Sequence, residues 1–145
     1  MDMTVLDVRR TNTILYCRRW RETIRFYRDG LKFPISYATD WLVEFRLTDD
    51  SYISLADETR ATIPSARGAG MTLSWQVDDA DEMHRCVAAL GMAPGPIQKK
   101  WNASVFYFRD PEGHRIELWS PLYRKEADPA PVCRSRRADG RGSAV

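Results

Sequence analysis

Hydrophobic spacing along the chain switches between two periods, and it does so in the same order twice. Asn12–Cys17 is a short β-prone run. Arg19–Gly30 then carries Trp20, Ile24 and Tyr27, with Leu31 just beyond, at the spacing of an amphipathic helix, and Gly30 is placed to end it. Phe33–Tyr37, Leu42–Leu47 and Tyr52–Ala56 read as three strands, with Asp49-Asp50 turning between the last two. A polar stretch, Asp57–Gly70, follows as a linker. Beyond it Met71–Val77 reads as a strand, and Asp78 is placed to cap a helix over Asp79–Leu90. That helix puts Ala80, Met83, Val87 and Leu90 on one face, and Gly91 stops it. Pro94–Lys99 is a weak strand or loop. Val105–Phe108 and Arg115–Trp119 are strands joined by a tight Asp110-Pro111-Glu112-Gly113 turn.

The two halves superimpose at an offset of about 60 residues, with Asn12 on Thr72 and Trp20 on Ala80. Half of such a chain cannot bury its sheet face alone. The expected fold is therefore α+β: two tandem βαβββ modules, about 12–56 and 71–121, in one domain spanning 1–123. A curled mixed sheet would surround a ligand cleft. Strand alternation assigns the cleft side chains. Asn12, Ile14 and Tyr16 share one face of the first strand; Thr72, Ser74 and Gln76 share one face of the fifth. Glu44 and Arg46 go with Leu42, Ser54 with Tyr52 and Ala56, and Glu117 with Trp119.

Composition narrows the function classes. The net charge of +2 divides into +3 on the tail, Arg124–Val145, and −1 on the rest. A body so close to neutral gives no footing for nucleic acid. The tail has no hydrophobic period and reads as disordered. No run of 18 apolar residues suits a membrane span, and the first residues lack the order of a signal peptide. Cys17, Cys86 and Cys133 are odd in number and lack CxxC spacing, which points to free thiols in a reducing cytoplasm.

Two segments carry a family resemblance. Ile24-Arg25-Phe26-Tyr27-Arg28-Asp29-Gly30-Leu31 resembles the FYxdxLG helix end of the vicinal oxygen chelate superfamily. That group contains glyoxalase I, the bleomycin-resistance proteins and the extradiol dioxygenases. Arg109-Asp110-Pro111-Glu112-Gly113-His114-Arg115-Ile116-Glu117-Leu118 is similar to its DPdGxxiEl motif. The likeness covers about Asn12 to Pro121. Enzymes of this family hold a divalent metal with four side chains, and the matching positions here are Asn12, Ser54, Thr72 and Glu117. Only Glu117 is a good ligand, because a neutral amide or hydroxyl is a poor substitute for imidazole or carboxylate. His84 and His114, the two histidines, fall elsewhere. The expectation is a site without metal or other cofactor. The resemblance also implies a homodimer, since relatives often complete their clefts with a second subunit.

Glu117 is the candidate catalytic residue, because a carboxylate in a cleft can serve as general acid or base. The plainer alternative is a carboxylate simply paired with Arg46 or Arg115. Glu44 is a second carboxylate candidate. Candidate ligand-binding residues are Asn12, Tyr16, Trp41, Glu44, Ser54, Thr72, Ser74, Gln76, Trp101 and Trp119. The aromatics among them suit a flat organic ligand, with Trp101 in a loop able to act as a lid; core or interface packing is their alternative role. Trp20 and Trp75 are assigned to the core. Arg21, Arg25 and Arg28 form a solvated helix face.

Three functions follow from this reading. The first is binding or sequestration of a small, partly aromatic organic molecule without metal. The second is a small enzyme, a glyoxalase-like lyase or isomerase, or a cyclase, acting on an oxygenated substrate through Glu117. The third is a module with no ligand.

Overall fold

A computed structural model describes residues 4–122 and shows two four-stranded mixed sheets, one per half of the chain. The expected disordered tail lies outside the described residues. The chain groups into two compact units. The first runs to Ala69 and also takes in Pro111–Gly113; the second takes Gly70–Asp110 and continues from His114.

The first unit contains β1 (Thr11–Cys17), α1 (Trp20–Arg25), β2 (Ile35–Ala38), β3 (Leu42–Arg46) and β4 (Ser51–Asp57). Its sheet order is β1-β4-β3-β2, with β1 parallel to β4 and the other pairs antiparallel. The second contains β5 (Thr72–Gln76), α2 (Ala80–Ala89), β6 (Gln98–Lys100), β7 (Ala103–Arg109) and β8 (Arg115–Pro121). Its order, β5-β8-β7-β6, repeats the first, again with one parallel pair. The expected βαβββ repeat is thus present twice.

The first helix departs from its expected course. It is α-helical only to Arg25, then widens into a π turn over Phe26–Gly30, where the Leu31 amide donates to Phe26 O at 2.9 Å. Gly30 is the last helical residue, as expected, but it is not the left-handed one. Lys32 takes the left-handed conformation at φ 61, and the Phe33 amide closes onto Tyr27 O at 3.1 Å. This path keeps Tyr27 fully buried beside Phe45, their ring centroids 6.0 Å apart. Thr23 and Ile24 complete the inward face, while Trp20 is half-buried and donates its indole N–H to Leu55 O at 2.8 Å.

The second helix follows its sequence signals more closely. Its cap is Asp79 rather than Asp78: Asp79 has the extended backbone of a cap and its carboxylate accepts from the Glu82 amide at 3.2 Å. At the other end Gly91, at φ 77, closes the turn as expected. Its amide donates to Ala88 O and that of Met92 to Val87 O, the pairing of a Schellman motif. Ala80, Cys86 and Val87 are buried, whereas Leu90 lies at the exposed margin of the expected apolar face. The Ser120 hydroxyl accepts from the Ala80 amide at 2.8 Å, fastening the helix start to β8. Cys17 is a buried thiol near Leu15 O, and Cys86 is disulfide-bonded rather than a free thiol as expected.

The turn between β7 and β8 is held from inside. Asp110 accepts from the His114 amide at 2.9 Å and pairs with His114 Nδ1 at 2.8 Å, both residues being buried. The next carboxylate, Glu112, belongs to the first unit. One Oε accepts from the Arg18 amide at 2.8 Å and the Ser65 hydroxyl at 3.1 Å; the other accepts from the Arg18 and Arg19 amides at 2.8 and 2.9 Å. Gly113 must be glycine. It sits at φ 104, and a Cβ there would come within 2.6 Å of the Arg67 carbonyl oxygen. Gly113→Ala should therefore destabilise the protein by at least about 1 kcal/mol in chemical denaturation; an unchanged midpoint would show that the loop carrying Arg67 gives way at no cost.

Candidate functional site

The candidates carried by strands lie on one face of each sheet, around a carboxylate, whereas Trp41 and Trp101 lie in turns. In the first unit that carboxylate is Glu44. The strand register sets Ser54 between Ile14 on β1 and Glu44 on β3, with Asn12 opposite Tyr52. Buried Ser54 donates to Asn12 Oδ1 at 3.0 Å, and Asn12 Nδ2 donates to Glu44 Oε2 at 3.3 Å. Arg10 meets the same oxygen at 3.0 Å, and its guanidinium lies 3.8 Å from the centroid of the Tyr52 ring. The Ser36 hydroxyl donates to Glu44 Oε1 at 2.8 Å. A register shift between Ile35 and Tyr37 lets Ser36 reach it.

Glu44 is therefore a partly covered hub with its charge matched by Arg10, and not a bare strand residue. Exposed Ile14 and Tyr37 flank it in the same rows. Tyr16 is half-buried beside Ala56. Trp41 sits in the β2–β3 turn, where its carbonyl accepts from the Asp57 amide at 2.8 Å. Sequence reasoning missed Arg10 and Ser36, because one precedes β1 and the other depends on an irregular strand.

In the second unit the carboxylate is Glu117. Thr72, Ser74 and Gln76 lie opposite Arg115, Glu117 and Trp119. Ser74 Oγ donates to Glu117 Oε1 at 2.6 Å. Arg115 does not pair with Glu117: its Nε donates to Thr72 Oγ1 at 2.9 Å, and its guanidinium lies 4.6 Å from the centroid of the Tyr107 ring. Tyr107, another residue the sequence reading passed over, is the register partner of Glu117 on β7. Lys100 stands 5.3 Å from the Tyr107 ring and 4.5 Å from that of Trp101. Trp101 itself is 76% exposed, in a two-residue turn whose members, Trp101 and Asn102, both have positive φ. A bulky aromatic held in that conformation is strained.

Of the four positions that the resemblance matches to metal ligands, Asn12 and Ser54 are bonded to each other, whereas Thr72 is bonded to Arg115 and Glu117 to Ser74. Of the four, only Glu117 is anionic. Among the described residues no group of three or more His, Cys, Asp or Glu side chains could hold a metal ion.

The sequence profile of the Glyoxalase/Bleomycin resistance protein/Dioxygenase superfamily matches residues 9–118, and the chain belongs to that family. Its relatives include YraH of Bacillus subtilis (strain 168), 28% identical over 134 residues, covering 83% of this chain and all of that protein. A crystal structure of lactoylglutathione lyase from Agrobacterium tumefaciens is similar at a TM-score of 0.64 and 21% identity, over 76% of this chain and 91% of that one. One of TnmS3, an antibiotic binding protein from Streptomyces sp. CB03234, is similar at a TM-score of 0.66 and 19% identity, over 83% and 99%.

A further polar cluster in the second unit joins a serine, a lysine and an aspartate. Buried Ser104 donates to Asp81 Oδ1 at 2.6 Å, and Lys99 Nζ donates to Ser104 Oγ at 3.0 Å and to Asp81 at 3.3 Å. An ammonium held against a carboxylate is not a base for serine, so this trio is a clamp from α2 to the β6–β7 hairpin. The Ser104 hydroxyl bond, and after it Lys99, hold the Asp81 carboxyl below its usual range against the opposing effect of burial. A lowered folded pKa adds stability above the unfolded value, and that stability is lost as pH falls through the folded one. Stability should thus drop on acidification below about pH 4, and Asp81→Asn should flatten that limb. Asp81 is about half exposed, so screening keeps the effect small. Identical acid limbs for the two proteins would remove Asp81 from this account.

Proposed function

We propose that this protein binds a small, partly aromatic organic molecule without using a metal. The observation that carries the reading is the pairing of aromatic rings with pre-bonded polar groups on each sheet face. On the second face Tyr107 and Trp119 neighbour Glu117, whose carboxylate is oriented by Ser74. On the first, Tyr52 and Tyr37 neighbour Glu44, oriented by Arg10, Asn12 and Ser36. Rings supply stacking area, and fixed polar groups supply selectivity. The four family ligand positions suit this use better than a transition metal. Their amide and two hydroxyls are weak ligands, and they are already engaged by one another or by Arg115. The likeness to an antibiotic binding protein supports the same reading. A homodimer, usual where this fold binds ligands, belongs to it.

A second reading rests on the 2.6 Å Ser74–Glu117 hydrogen bond. A hydroxyl held on a carboxylate can pass a proton, so a small enzyme using Glu117 as general acid or base fits that geometry.

The reading is tested by a thermal-shift screen of aromatic antibiotics, with and without EDTA. Binding should raise Tm regardless of chelator and should weaken about tenfold in Tyr107→Ala, a loss of roughly 1.4 kcal/mol. Uptake of about one metal ion per chain, abolished by Glu117→Ala, would overturn it. Glu117→Gln separates the two readings. Binding within about threefold of wild type fits sequestration; loss of turnover by about 10²–10⁴ with binding kept assigns catalysis.

A further inference from the structure

The first unit holds a pocket that the strand faces do not account for. It encloses about 440 Å³ and is lined by Arg18, Arg19, Arg67 and Glu112. Arg18 and Arg19 lie between β1 and α1, and Arg67 lies in the loop after β4. Three arginines and one glutamate line it, an excess of basic residues.

The way the carboxylate is used sharpens that excess. Both Glu112 oxygens are taken up by the Arg18 and Arg19 backbone amides and the Ser65 hydroxyl, so none is spent on a guanidinium. Arg19 is loosely tied to Glu22 at 3.8 Å. Among the described residues neither the Arg18 nor the Arg67 side chain has a carboxylate partner. Arg10, Arg28, Arg60 and Arg85 each have one. Glu58 is also near, with one oxygen accepting from the Ser65 amide.

Arg67 is also held in place by backbone constraints. It adopts φ 55, a left-handed conformation costly for an arginine. Its amide donates to Ser65 Oγ at 3.0 Å, and its carbonyl presses on Gly113. The serine that fixes Arg67 is the same one that bonds Glu112. Carboxylate, serine and arginine thus form one connected frame around the pocket.

We propose that this pocket is an anion site for a phosphate-bearing small molecule. Each guanidinium presents two parallel N–H donors, and a phosphate dianion has enough oxygens to serve two such forks at once, where a carboxylate fills one. The volume exceeds that of a bare phosphate and leaves room for an attached organic group. None of the strand-face residues around Glu44 or Glu117 takes part, so the site is independent of the function proposed above.

Isothermal titration of the full chain with inorganic phosphate, phenyl phosphate and benzoate, near neutral pH and at low salt, tests this. Phenyl phosphate should bind saturably at about 1 mM or below, more tightly than inorganic phosphate, and benzoate should not bind. The double variant Arg18→Gln/Arg67→Gln should weaken binding at least tenfold. Both side chains are exposed, and circular dichroism verifies the fold. Arg21→Gln/Arg25→Gln on the neighbouring helix should leave phenyl phosphate binding unchanged. Absence of saturable binding, equal binding by the Arg18/Arg67 double variant, or a preference for benzoate would each overturn the proposal.

Discussion

The acceptance of three donors by one carboxylate, Glu112, is the constraint on which the first unit depends. A buried carboxylate is costly unless its lone pairs are met by donors. Here two consecutive backbone amides and a hydroxyl meet them, each a charge-assisted bond of about 1.5–3 kcal/mol. In return the chain between β1 and α1 is pinned where it would otherwise be a loose connection. Gly113 then permits the backbone of Arg67 to close over the same turn. The direction of α1, the loop after β4 and the lining of the basic pocket all follow from the placement of one side chain. Aspartate is one methylene shorter, which gives the glutamate at this position a geometric meaning beyond its charge.

The two units share a plan and differ in chemistry. In both, a parallel strand pair brings a polar residue of the first strand beside one of the last. In the first unit the outcome is a relay from Ser54 through Asn12 to Glu44, closed by Arg10. In the second it divides in two: Ser74 serves Glu117, while Arg115 serves Thr72 and covers Tyr107. The carboxylate has thus moved from the last strand in one unit to its antiparallel neighbour in the other. Both solutions hold the carboxylate with partners from its own unit.

Much of the fold was legible in the sequence, because it is written in periodicity. Leu73 and Trp75 against Ser74 and Gln76, or Ile116 and Leu118 against Glu117, sort to opposite faces as strict alternation requires. Gly91 could be read as a helix stop because a glycine stands where a left-handed residue is needed. Gly30 marked the last helical residue but not the left-handed one: after the π turn Lys32 accepts the conformation that a glycine would take more readily. The choice between Asp78 and Asp79 as cap turns on backbone angles that two adjacent aspartates do not reveal. The site was legible only where it lies on regular strands. Glu117, Ser74, Thr72, Asn12 and Ser54 were picked out by strand alternation, and the register sets them among bonded polar neighbours. Arg10, Ser36 and Tyr107 were not picked out, since their roles depend on an approach from outside a strand, a bulge, and a neighbour three-dimensionally set by pairing. Glu112 was read as a turn residue because no spacing rule links it to Arg18 and Arg19.

The placement of Glu112 also imposes an order on biosynthesis. The chain enters the second unit after Ala69 and returns to the first only for Pro111–Gly113. A ribosome adding about 5–20 residues per second therefore emits most of the first unit seconds before the carboxylate that closes it. In that interval the amides of Arg18 and Arg19 have only water as partner. The first unit is thus closed by a side chain made only after β5, α2, β6 and β7 have emerged, at a moment when the second unit still lacks β8.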